Sequence, residues 1–253
     1  MTAIFIPGPL LQANSTSHGL GVQFFAGYFF YEGNNRDEGF LPALGLCYRY
    51  QNDPWQLGFQ VDYGEGNTAF EGESLLPSTE DESKQRLLSW EAYFNYQVHE
   101  EKLWTLSLGA SLGFFSWQRE VALSYNENYH WRHLGFSLEG TFQVEEDWRI
   151  FISPRLLLFF DGDIKTKLYV ANPSYNTPEG DLKNFGLGYA LETGFVTEET
   201  QGSWGMTAFF RLYQLERKSD LLFTYENNPL FLEKKHAIRV FQAGLKVFYL
   251  FHL

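Results

Sequence analysis

Residues Trp104–Phe115 read WTLSLGASLGFF. Trp104, Leu106, Leu108, Ala110, Leu112 and Phe114 share one parity, and Thr105, Ser107, Gly109, Ser111 and Gly113 share the other. Successive side chains of a strand point to opposite faces, so this stretch predicts a strand with one greasy face and one small, polar face. The same alternation returns in Leu134–Val144 (LGFSLEGTFQV), Phe185–Val196 (FGLGYALETGFV) and Phe241–Leu253 (FQAGLKVFYLFHL). Extended along the chain, it predicts ten strands, near residues 19–32, 40–51, 54–70, 84–98, 102–118, 130–144, 148–163, 184–196, 203–216 and 237–253.

The connections between these strands alternate in length. Gln51–Pro54, His99–Lys102, Glu145–Asp147 and Thr197–Gly202 are tight, whereas Glu32–Gly39, Gly66–Ser83, Arg119–Tyr129, Gly162–Lys183 and Glu216–His236 are longer and polar. An even number of strands, with short turns at one end and long loops at the other, is the plan of a transmembrane β-barrel. The expected fold is therefore all-β: a closed antiparallel up-and-down transmembrane barrel over residues 19–253. Lipid leaves an open sheet edge unsatisfied, so the barrel must close on itself. Residues 1–18 form a separate N-terminal segment. Its apolar part, Met1–Ala13, lacks a basic leader and is interrupted by Pro7-Gly8-Pro9. It reads as a signal remnant, a tag or an arm tucked into the fold.

Composition narrows the field further. A net charge of −12 argues against a nucleic-acid partner, because such binding needs cations to neutralise phosphates. The single cysteine, Cys47, excludes an internal disulfide framework and any cysteine-based zinc site. With aromatics at 19% of residues, disorder is excluded. No cofactor or metal motif is visible.

Trp55, Trp104, Trp148 and Trp204 each follow one of the four short turns and share the outward parity. Indoles favour the membrane–water interface, so these four are expected to form an aromatic girdle at one height.

The carboxyl end, Val247-Phe248-Tyr249-Leu250-Phe251-His252-Leu253, resembles the terminal strand signature of bacterial outer-membrane β-barrel proteins, although it ends in leucine instead of Phe or Trp. The resemblance implies the bacterial outer membrane as location, with lipid and lipopolysaccharide around the barrel and the barrel-assembly machinery as partner during biogenesis. It also implies short turns in the periplasm and long loops outside. Ten-stranded relatives of this architecture include the omptin proteases and some surface adhesins, and no motif ties the chain to either.

On the inward parity lie four bases, Arg49, Arg155, Arg211 and Lys246, and four acids, Asp62, Glu91, Glu139 and Glu192. Most fall at similar height, and Glu139 and Arg155 sit diagonally across a short turn, within reach of each other. Charges in a narrow lumen are costly unless paired, so this belt reads first as a salt-bridged plug. A second reading is a selectivity constriction, with acids and bases on different strands. Gly58, Gly109, Gly113, Gly186, Gly188, Gly194 and Gly244 on the same inner face leave the space that this reading requires.

Three further patterns carry potential chemistry. Gly109-Ala110-Ser111-Leu112-Gly113 matches the G-x-S-x-G expression but lies mid-strand, where a strained nucleophile turn does not form. His130 and His133 are three apart, hence on opposite faces. His133 has the inward parity and falls diagonal to Asp161 near the outer lip, where an Asp-oriented histidine could activate water; omptins carry Asp and His residues at that rim. Glu71, Glu73, Glu80, Asp81 and Glu82 make the second long loop acidic, and Asn172–Gly180 is a turn-rich surface loop. The leading expectation is a non-enzymatic integral barrel: a narrow or salt-bridge-plugged pore with surface loops. The alternatives are a rim hydrolase using His133 and Asp161, and a surface-binding or accessory subunit.

Overall fold

The computed structural model describes residues 16–33, 35–71, 82–121, 125–145, 147–168, 174–182, 186–234 and 237–253. Among these, ten long strands make the wall: β1 (Thr16–Glu32), β2 (Arg36–Asn52), β3 (Trp55–Glu71), β4 (Glu82–Glu101), β5 (Trp104–Val121), β6 (Tyr125–Glu145), β7 (Trp148–Lys167), β9 (Gly186–Glu199), β10 (Gly202–Glu216) and β13 (Ala237–His252). Three short strands belong to the long loops: β8 (Glu179–Asp181), β11 (Leu221–Tyr225) and β12 (Asn228–Glu233). Each wall strand pairs antiparallel with its neighbour, and β1 pairs with β13 from Gly19–His252 to Glu32–Arg239, which closes the ring. The expected closed meander is the observed one. Glu73, Glu80, Asp81, Asn172 and Pro173 lie outside the described residues, as does all of the N-terminal segment before Thr16.

The wall strands are longer than a membrane requires. A tilted transmembrane strand needs about 9–11 residues, yet β4 and β7 have 20 and β6 has 21. Strand pairing continues through segments read from sequence as loops. Glu32–Gly39, for example, is mostly ladder, with Tyr31 opposite Asp37 and Glu32 opposite Arg36. The polar residues responsible for the loop reading, such as Arg36, Asn67 and Asn128, lie on the outward parity of the extension, beyond the greasy band.

That band covers the outside from near the short turns to beyond mid-height. Phe40 is 72% exposed, Leu44 67% and Leu46 60%, and Leu20, Val22, Phe24, Leu57, Leu108 and Leu138 join them. Large apolar side chains exposed on this scale belong against acyl chains.

The inner face departs from the expectation of small, polar side chains. It is mostly small and polar toward the short turns, with Phe151, Phe248 and Leu250 as large apolar exceptions. Toward the long loops, Phe29, Tyr31, Phe115, Trp117, Tyr129, Trp131, Phe159 and Tyr213 point inward and pack into one buried cluster. Trp117 is 0% exposed and Trp131 1%. Rings stack at short range, Trp117 on Tyr129 at 4.5 Å and Phe115 on Trp131 at 4.3 Å. Leu182, from the loop after β7, packs into the same cluster. Above it, Leu221 and Phe223 of the β11–β12 hairpin bury against Phe70, Val121 and Leu168, forming a second, smaller core over the barrel mouth.

Candidate functional site

The lumen below the aromatic cluster carries the ionised groups. Glu192, on β9, is the hub: its carboxylate lies 3.1 Å from Arg211, 3.5 Å from Lys246 and 3.8 Å from Arg155. Arg155 also reaches Glu91 at 3.3 Å, and the Gln60 amide donates to Glu91 at 3.1 Å. Asp62 accepts from the Gln23 amide. These contacts tie β1, β3, β4, β7, β9, β10 and β13 together across the interior. Glu192, Glu91 and Asp62 survive burial because each of these carboxylates meets a cation or an amide donor.

The belt is wired differently from the sequence expectation. Arg155 lies opposite Ser137, so Glu139 is its diagonal neighbour as read from the spacing, but Arg155 turns into the lumen toward Glu91 and Glu192 instead. Arg149, counted from sequence with the short turn, points inward and pairs with Glu198. Two glycines matter by what their missing side chains admit. A Cβ at Gly113 would overlap the His133 imidazole, and one at Gly58 would overlap the Tyr93 ring.

The proposed His133–Asp161 pair does not form. His133 faces the lumen against Phe159, with ring centroids 6.0 Å apart. Asp161 has φ of 52° and stands unpaired in the ladder between Phe160 (opposite Arg132) and Gly162 (opposite Trp131). It is the extra residue of a β-bulge, which reverses the facing of everything after it. Before Asp161 the odd residues Leu157 and Phe159 are buried; after it the even residues Ile164, Thr166 and Leu168 are. Asp161 is left outside, paired with Arg132, while His130 meets Asp163 at 3.1 Å on the same exterior. Counting by twos across an uninterrupted ladder could not foresee this. Ser111 sits on the inner wall within a continuous ladder, facing Tyr93 and Gly135, with no turn to expose it.

A second ion cluster escaped the sequence reading. Arg119, fully buried, pairs with Asp37 and, at 2.8 Å, with Glu127. Its guanidinium lies 4.8 Å from the centroid of Tyr31 and 5.3 Å from that of Phe70. Gln85 accepts from the Trp117 indole at 2.6 Å, and Ser83 donates to Asp37. The parity of Gly113, Phe115 and Trp117, carried two residues further, predicts Arg119 inward; ending the strand at residue 118 concealed it.

Below the Glu192 hub lies a cavity of about 210 Å³, lined by Arg49, Gln60, Tyr93, Asn95, Glu139 and Lys246 among others and reaching the turn residues Asp53 and Pro54. It therefore opens at the short-turn end. Around the outside of that end stand the four tryptophans. Trp148 and Trp204 both lie opposite Thr197, 6.4 Å apart, with Phe195 stacked on Trp148. Trp55 packs on Phe94 and Tyr96, and Trp104 donates to Glu101 at 2.9 Å.

No family model and no curated protein matches the sequence. Among solved structures, the fold is similar to that of the outer membrane protease OmpT from Escherichia coli, with a TM-score of 0.63 at 8% identity over 93% of this chain and 97% of that one. The architecture is that of a bacterial outer-membrane β-barrel. More distant likenesses are the toluene transporter TodX from Pseudomonas putida (TM-score 0.45, 12% identity, 95% and 89% of the two chains) and an outer membrane channel from Pseudomonas putida F1 (0.45, 11%, 98% and 100%). The barrel thus joins a fold and an exterior suited to the outer membrane. At 8% identity the likeness to OmpT extends to fold alone.

Proposed function

We propose that the barrel is a salt-bridge-plugged pore: an integral outer-membrane scaffold whose lumen does not conduct, and whose working surfaces are its two ends. The observation that carries this reading is the stacking of two obstructions in one narrow lumen. The Glu192 hub crosses the middle, and the Trp117–Tyr129–Trp131 layer fills the space above it. Ten strands enclose little more room than the eight that side chains fill. The four tryptophans serve as the girdle on the short-turn side, where amphipathic rings are stable at headgroup level. Lipid and lipopolysaccharide are the surroundings this exterior suits.

Planar-bilayer recording of the refolded full chain tests the reading. Wild type is expected to give no discrete current steps, and Glu192→Gln is expected to stay silent because the aromatic layer remains. Combining Glu192→Gln with Trp131→Ala is expected to produce steps. Regular steps from the wild-type protein would overturn the proposal.

A further inference from the structure

The short-turn cavity is more than leftover space. Its walls carry charged groups that can be divided by whether they are already matched. Lys246 and Arg155 belong to Glu192, and Arg149 belongs to Glu198. Asp53, at the mouth, accepts from Gln51 at 2.9 Å. Two lining groups of opposite sign have no contact ion pair: Arg49 and Glu139, the latter feeling Arg155, Arg49 and Arg149 only at longer range. Among the described residues neither lies within 4.0 Å of an opposite charge, and the Arg49 Nε is buried without a hydrogen-bond partner. They stand on β2 and β6, four strands apart in a ring of ten, so they face each other across the lumen. A narrow lumen makes an unmatched charge costly, and two of opposite sign at opposite walls fit a ligand that carries both complements.

The remaining walls suit such a ligand. Gln60, Asn95 and the hydroxyls of Ser107 and Thr141 offer neutral donors and acceptors between the two charges, and Tyr93, seated over Gly58, brings its hydroxyl within hydrogen-bonding reach of the Arg49 guanidinium without neutralising it. The volume lies below the about 300–1,000 Å³ typical of pockets for drug-sized ligands, so the occupant is small. Glu139 disfavours a doubly charged anion such as phosphate, because it adds like charge to the same small space.

The geometry points to a binding site for a small zwitterion of dipeptide size, entering from the short-turn side, with its carboxylate on Arg49 and its ammonium on Glu139. The site goes beyond the plugged-pore reading and does not need it.

Isothermal titration of the refolded full chain in detergent micelles tests the site, with glycylglycine, acetate, methylammonium and inorganic phosphate as probes. Glycylglycine is expected to saturate one site and to bind about tenfold or more tightly than either single-charge probe. Arg49→Gln and Glu139→Gln are each expected to weaken it by about tenfold or more, the usual scale for removing one partner of an enclosed charge pair. Acetate or phosphate binding as tightly as glycylglycine would overturn the assignment, as would unchanged affinity in both variants or no binding of any probe. Should a variant fail to fold, the wild-type chain still decides the matter through Cys47, its one cysteine, which lines the same cavity. Glycylglycine is expected to slow Cys47 alkylation by iodoacetamide, while acetate and methylammonium leave the rate unchanged; an unaltered rate with glycylglycine removes the site. Binding and conductance are separate readouts. A conducting wild type that binds the dipeptide defeats only the plug, and a silent one that binds nothing defeats only the pocket.

Discussion

The two halves of the lumen stand on the same strands and the same parity, yet they are built of different matter. On β5 the inward series begins Thr105, Ser107, Gly109, Ser111 and continues Phe115, Trp117, Arg119. On β1 it begins Gly19, Gly21, Gln23 and continues Phe29, Tyr31. The lower half borders lipid on its outer side, so its apolar burial happens outside the wall and its interior is free to be polar and hollow. The upper half stands in water beyond the greasy band. There the hydrophobic contribution must come from inside, as in a soluble domain, and the aromatic cluster supplies it. One strand therefore changes from membrane protein to water-soluble core along its length, and the Glu192 hub marks the level of the change.

This contrast can be broken by mutation. The largest effect is expected from Trp131→Ala in the upper half, at about 3–5 kcal/mol. The matching change in the lower half, Ser107→Ala, is expected to stay within about 0.5 kcal/mol. Reversible urea unfolding in detergent compares them, and equal losses would mean that the two interiors are not distinct. Next comes the exterior. Leu108→Arg places a cation mid-band and is expected to cost about 2–4 kcal/mol in lipid vesicles, whereas Gln118→Arg on the same strand is expected to cost about 0–1. Similar penalties at both sites would show that the lipid zone extends further than the exposed band. The smallest effect concerns the bulge. Asp161→Gly relieves a left-handed backbone and gives up an exposed pair with Arg132, terms of about 1 kcal/mol or less each and opposite in sign. Stability is expected to hold, read by the same urea unfolding. Deleting Asp161 outright removes the extra residue and leaves an uninterrupted ladder in which Ile164 and Leu168 keep their inward facing, so dye binding to exposed apolar surface is expected to stay at the wild-type level.

Much of the barrel was readable along the chain because strand parity is a local property. WTLSLGASLGFF declares its two faces without reference to any other segment, and the rhythm of short turns and long loops declares the meander. The inward parity also selected Glu91, Arg155, Glu192, Arg211 and Lys246, which do meet. Strand ends were harder to read: polar outward residues on the extensions imitate loops, and so hid Arg119, Asp37 and Glu127.

From the sequence alone came the closed ten-strand wall, the greasy exterior and the list of charges that look inward, since alternation and turn length depend on neighbours in the chain. Which of those charges touch, where the bulge reverses the facing of β7, and how far the lumen is filled were settled only in three dimensions. Arg155 chooses between Glu139 and Glu192 by distance across a closed ring, and no spacing along the chain encodes that distance.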